Sequence, residues 1–110
     1  MAFDEELAHR IRAELKGSKG LVEKKMFGGV AFMIDGNMCV GVHKDAMIVR
    51  LDAGDTDAAL KEKHTRVFDL TGRPMKGWIL VDADGCKTAA GLARWASRSK
   101  AFAASLPRKK

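Results

Sequence analysis

The sequence predicts an α+β domain in which helices pack on a five-stranded antiparallel sheet, in the order α-β-β-β-α-β-β-α. Segments with helical apolar spacing lie at both ends of the chain. The strand candidates between them are grouped, and tight-turn residues separate most neighbouring candidates. Grouped strands joined by short turns pair antiparallel and collect helices on one face, so we expect a two-layer sandwich.

The helices are predicted from apolar spacing and from residues that favour helix ends. The first helix has apolar residues at every fourth position, namely Phe3, Leu7, Ile11 and Leu15. Asp4 is placed to cap this helix and Gly17 to end it. A short second helix is predicted over residues 57–63, with Asp55 or Thr56 as its cap. The last helix follows Thr88, and its apolar stripe comprises Leu92, Trp95, Ala96, Ser99, Phe102, Ala103 and Leu106.

The strands are predicted from alternating apolar residues and from the turns between them. Residues 24–51 indicate a three-stranded meander, with a tight turn at 35–37 and another at 44–45. Residues 66–70 and 77–81 indicate a second hairpin around the turn at 71–74. The residues expected to lie largely in the core are Phe27, Phe32, Val40, Trp78, Ile79, Leu92 and Trp95.

Two adjacent glycines, Gly28 and Gly29, precede the first predicted strand. They could cradle an anion on main-chain N–H groups, but they lead into a strand and lack the dipole of a helix N-terminus. Adjacent glycines weaken a strand unless its geometry requires them. We therefore expect a structural role, in which at least one adopts positive φ or lies close to a neighbouring backbone.

Length and composition predict one soluble domain over residues 1–110. A chain of 110 residues, 46% apolar and 31% charged, has the composition of a globular domain and no apolar run long enough to span a bilayer. The N-terminus lacks the basic and apolar regions of a secretory signal, so we expect a cytoplasmic protein. Cys39 and Cys86 lack metal or redox spacing and are interpreted as incidental thiols.

Four short segments resemble the N-terminal domain of the TfoX/Sxy family, a small bacterial α+β domain. They are Lys-Met-Phe-Gly-Gly at 25–29, Asp-Gly at 35–36, Gly-Arg-Pro-Met-Lys-Gly-Trp at 72–78 and Leu-Ala-Arg-Trp-Ala at 92–96. The resemblance runs from about Val22 to the last helix. The family's third strand often carries a tyrosine, which this chain lacks throughout, so no role of that hydroxyl is carried over.

The resemblance implies a regulatory function. Full-length members regulate natural competence with a cyclic-AMP receptor protein at promoters, and they carry a second domain that resembles a helix-hairpin-helix module. This chain is expected to hold only the N-terminal unit. The resemblance therefore implies a non-enzymatic bacterial domain that acts through protein contacts in regulation, with the transcription machinery as the expected partner.

The sequence predicts no catalytic residue, no metal site, no cofactor and no membrane partner. His9, His43 and His64 match no common metal-ligand spacing, and no catalytic triad is recognisable. A small-molecule enzyme is the third hypothesis, and it requires convergent polar groups in a pocket. The oligomeric state is left open.

The alternative function is weak, non-specific nucleic-acid binding. The formal charge is +6, but the basic residues are scattered along the chain. The candidate nucleic-acid or anion contacts are the basic residues on or beside the predicted sheet, namely Lys24, Lys25, Arg50, Arg73 and Lys76. Arg73 and Lys76 precede Trp78, which could stack on a base, although core packing is the favoured interpretation of this tryptophan.

Overall fold

The computed structural model describes residues 4–26, 29–68 and 77–106. The elements are, in chain order, α1 (Glu5–Leu15), β1 (Leu21–Met26), β2 (Gly29–Ile34), β3 (Asn37–His43), β4 (Ala46–Arg50), α2 (Thr56–Ala59), β5 (Thr65–Val67), β6 (Trp78–Val81) and α3 (Ala89–Ser105). Short 3₁₀ turns at Ala53–Asp55 and Ala83–Gly85 follow β4 and β6. The predicted α+β class is confirmed, with a six-stranded sheet instead of a five-stranded one.

The sheet has the order β1-β2-β3-β4-β6-β5, and all neighbouring strands are antiparallel. The additional strand is β1, which pairs with β2 from Leu21 opposite Ile34 to Met26 opposite Gly29. Sequence analysis missed β1 because it is an edge strand whose exposed charged residues interrupt the apolar alternation. The predicted antiparallel pairing of β5 with β6 is present, and β6 also pairs with β4. The turn predicted at 71–74 lies outside the described residues.

The ends of α1 follow the predicted capping chemistry, and α3 begins with a side-chain cap that was not predicted. The side chain of Asp4 accepts a hydrogen bond from the N–H of Leu7, and Gly17 adopts φ +86° just beyond the helix. The hydroxyl of Thr88 accepts a hydrogen bond from the N–H of Gly91 at the start of α3. The middle helix is shorter than predicted, and Asp55 makes no side-chain cap.

The main core lies between the sheet and the helices. Alternate residues of β2, β3, β4 and β6 point toward Leu7, Ile11 and Leu15 of α1 and toward Leu92 and Trp95 of α3. Ala59 of α2 joins the same cluster. Of the predicted core residues, those confirmed as buried are Phe32, Val40, Ile79, Leu92 and Trp95, while Phe27 lies outside the described residues.

The opposite, outer face of the sheet carries a second apolar cluster, and Trp78 belongs to it. The buried members of this cluster are Ala31, Met38, Ala46, Ile48, Phe68 and Leu80. Trp78 is only partly buried and packs against this outer cluster, whereas the other described residues predicted for the core lie in the main core. The reason is the pleat: Ile79 points to the helices, and Trp78 must therefore point to the outer face.

Gly29 has the structural role that the glycine pair predicts. A Cβ atom at this position would overlap the carbonyl oxygen of Val42 on β3. Only glycine therefore allows β2 to lie this close to its neighbour. Gly28 lies outside the described residues.

Candidate functional site

The predicted contact residues do not form one surface among the described residues. Lys24 and Lys25 lie on β1 at one edge of the sheet, whereas Arg50 lies on β4, three strands away. Arg73 and Lys76 lie outside the described residues. The structure thus separates the two lysines from the arginine, and each group has a different environment.

The guanidinium of Arg50 lies between two aromatic rings. It is 5.1 Å from the ring centroid of Trp78 and 5.5 Å from that of Phe102 on α3. Both distances are typical of cation–π contacts. Its Nη1 also donates a hydrogen bond of 3.4 Å to the carbonyl oxygen of Met38. Arg50 therefore contacts β6, α3 and β3, and its guanidinium is engaged within the fold.

Two further arginines are engaged within the fold. Arg94 and Arg98 lie 4.9 Å and 4.6 Å from the ring centroid of Trp95. Both pair with the carboxylate of Glu62, which follows α2. These two guanidinium groups hold the pKa of Glu62 below its ordinary value, since they stabilise the charged carboxylate. The cluster links α3 to the segment between α2 and β5.

Lys24 and Lys25, in contrast, are exposed on the edge strand β1. Lys25 is opposite Val30, whose side chain faces the helices, and Lys24 is opposite Ala31, whose side chain faces outward. Because opposed residues of an antiparallel pair share a face, the two lysines project to opposite sides of the sheet edge. Within the described ranges, no strand pairs with the free edge of β1.

A groove with a volume of about 450 Å³ lies beside this edge, between α1 and the start of β1. Its wall is mainly apolar and is formed by His9, Arg12, Ala13, Lys16, Gly17 and Leu21. One salt bridge joins the two elements, because the Nε of Arg12 lies 2.8 Å from a carboxylate oxygen of Glu23. This ion pair lowers the pKa of Glu23. Leu21, at the start of β1, lines the groove, and we call the exposed strand β1 together with this groove the β1 edge site.

Sequence analysis missed the groove because it judged α1 only by its apolar face. His9, Arg12, Ala13 and Lys16 follow the spacing i, i+3, i+4, i+7, which places them on one other face of the helix. That spacing was available from the sequence. Recognising it as a groove required β1, because Leu21 supplies the other side.

A second cleft, of about 380 Å³, lies where the start of α1 meets the 3₁₀ turn after β6. Its lining mixes acidic and basic groups, including Asp4, Arg10, Asp45 and Lys87, with Cys86 beneath them. Burial raises the pKa of the Cys86 thiol, and it raises that of Cys39 to about 12. Neither cysteine forms a disulfide. Both thiols are protonated at neutral pH, as expected of incidental cysteines.

In the part of the chain that the structure describes, no group of three or more His, Cys, Asp or Glu side chains is placed to hold a metal ion. No helix there is long and apolar enough to cross a membrane.

The fold and the β1 edge site define a small α+β domain with helices on one face of an antiparallel sheet and a basic edge strand that is exposed. The family model described as the TfoX N-terminal domain matches residues 13–103. The chain belongs to this family, as the four sequence segments indicate. No curated protein and no solved structure matches the chain.

Proposed function

We propose that this domain is a non-catalytic bacterial regulator that acts in the cytoplasm by binding another protein. The observation that carries the proposal is the β1 edge site, an exposed basic strand beside a mainly apolar groove. Protein interfaces combine an apolar centre with a polar rim, and this surface offers both. Membership of the TfoX N-terminal domain family supports a partner in the transcription machinery, and a role in competence regulation.

The distribution of charged contacts also supports a protein partner. Arg50, Arg94 and Arg98 are engaged with aromatic rings, and the latter two are also paired with Glu62. A nucleic-acid interface needs several cations aligned along a backbone of phosphates. Lys24 and Lys25 project to opposite faces of the edge, so they do not form such a row. The site therefore fits a protein interface, which combines a few charges with an apolar area, better than it fits a nucleic-acid backbone.

Weak, non-specific nucleic-acid binding is the second candidate, and the net charge of +6 favours it. Such binding loses affinity steeply as salt rises, because counterions are released from the phosphates. The affinity expected for a mixed-sequence duplex is about 10⁻⁴–10⁻⁶ M at physiological salt. A salt titration of duplex binding therefore separates this candidate from protein recognition.

The test is purification of the tagged chain from its own cells after cross-linking, with and without nuclease. We expect at least one protein to remain bound after nuclease treatment and to bind again when both purified components are mixed. Transcript levels should change in cells that lack the domain, since a regulator is expected to alter gene expression. Partners that are all released by nuclease would instead favour the nucleic-acid candidate.

A further inference from the structure

We propose that the β1 edge site binds an extended acidic segment of a partner protein, which adds to the sheet as a strand beside β1. This inference rests on the proposed function and specifies its partner. The segment would pair its backbone with the free edge of β1 and place alternate apolar side chains in the groove beside α1. Edge-strand recognition of this kind draws affinity from main-chain hydrogen bonds and specificity from side-chain pockets.

The backbone of β1 is suited to this pairing. Leu21–Met26 is paired with β2 along its whole length, so the strand is held in an extended conformation. Alternate residues of an edge strand direct N–H and C=O groups away from the sheet. The backbone of β1 is therefore already ordered for pairing. On binding, only the partner segment would lose backbone conformational entropy.

The groove determines where the side chains of the added strand would go. Neighbouring strands lie about 4.8 Å apart, so the segment would lie just outside β1. Its side chains on the helix side would point toward the flank of α1 that carries Ala13 and Lys16. The Arg12–Glu23 ion pair already joins α1 and β1 at this point.

Charge favours an acidic segment over a second copy of β1. Lys16, Lys24 and Lys25 are exposed, whereas the charges of Arg12 and Glu23 cancel in their ion pair. Two copies of β1 would bring their lysines together, and lysines on an edge oppose such self-association. A segment with acidic residues would instead gain from the same charges.

The probe is a short capped peptide in which glutamate alternates with leucine, so that an extended conformation separates the two residue types onto opposite faces. Binding is measured by calorimetry with the full chain, and contact with β1 by amide hydrogen exchange. We expect slower exchange at alternate amides of β1. Lys24→Glu with Lys25→Glu should weaken binding by about tenfold or more, because Lys24 lies on the face that the glutamates would occupy and Lys25 adds its charge at the same sheet edge.

The matched control reverses Lys61 and Lys63, which are exposed between α2 and β5, and it should leave binding within about twofold. Ala13→Phe fills the groove at an exposed helix position and should also weaken binding, while the same change at Ala104, an exposed position of α3, should not. Circular dichroism and the urea midpoint verify that each variant is folded.

Three outcomes would overturn the inference. The first is absence of peptide binding, and the second is equal binding by a peptide whose backbone nitrogens are methylated at alternate positions. The third is displacement of the peptide by duplex DNA with β1 amides protected by the DNA. If a nuclease-resistant protein partner still binds the Lys24→Glu, Lys25→Glu variant fully, the proposed function stands and this binding mode fails.

Discussion

Basic residues have two roles in this domain, as a comparison of the lysines of β1 with the arginines around α3 shows. Lys24 and Lys25 are exposed at the sheet edge, whereas Arg50, Arg94 and Arg98 lie against aromatic rings. A planar guanidinium can stack and form several hydrogen bonds, but an ammonium is a compact hydrated charge. These three arginines are therefore engaged within the fold, whereas these two lysines are available to a partner.

The largest expected effect comes from removing the ring beneath Arg94 and Arg98. Trp95 is 2% exposed, so Trp95→Ala should lower the free energy of unfolding by about 3–5 kcal/mol. Urea denaturation measures this loss, with Trp95→Phe as the smaller change. An unchanged midpoint for Trp95→Ala would contradict its place in the core.

A smaller loss is expected at Arg50, where the cation lies between Trp78 and Phe102. Arg50→Ala should lower the free energy of unfolding by about 1–2 kcal/mol, because two cation–π contacts and side-chain packing are lost. Arg50→Lys retains the charge but loses the planar group, so it should recover only part of the stability. If Arg50→Lys had the same free energy of unfolding as the parent, charge alone would be required at this position. The contrast drawn between arginines and lysines would then be weakened.

The ion pairs of Glu62 should make a pH-dependent contribution. Its folded pKa lies below the ordinary 4.5, so the contribution is fully present above that pH and is lost as pH falls through the folded pKa. At pH 7, Glu62→Gln should cost about 0.2–1 kcal/mol, because the pairs are partly exposed. Urea denaturation across pH should show the gap between parent and variant closing below pH 4.5. A gap that widens in acid would exclude this mechanism.

The smallest effect on stability is expected at β1. Lys24→Ser with Lys25→Ser should leave the urea midpoint unchanged, because exposed side chains away from special features contribute little to stability. If this double variant binds the acidic peptide less well but remains equally stable, the lysines of β1 serve binding and the arginines around α3 serve stability. Marked destabilisation would show that the lysines, like the arginines, support the fold.

Local signals in the sequence were sufficient for most of the fold. The cap at Asp4 and the turn at Asp35-Gly36 act within a few residues, so they were predicted correctly. β1 was missed because its strand conformation depends on pairing with β2 rather than on apolar alternation.

The candidate site was less predictable, since availability of a charge depends on tertiary neighbours. Arg50 was expected to contact a ligand, but its two rings come from β6 and α3, which are distant in the chain. Lys24 and Lys25 were chosen for their charge, and the structure leaves both exposed. The groove beside them could not be predicted, because one of its sides is formed by β1, a strand that was not predicted.

The pairing of β4 with β6 has a consequence for the order in which the domain folds. β1 to β4 follow one another through short turns, so they can form from contacts close in sequence. α2 and β5 lie between β4 and β6 in the chain. Pairing β6 with β4 must therefore close a larger loop, which costs chain entropy before any contact is gained. A pair of short strands such as β5 and β6 is also marginal in isolation. We therefore expect the domain to complete its sheet late, at the seam where Arg50 meets Trp78.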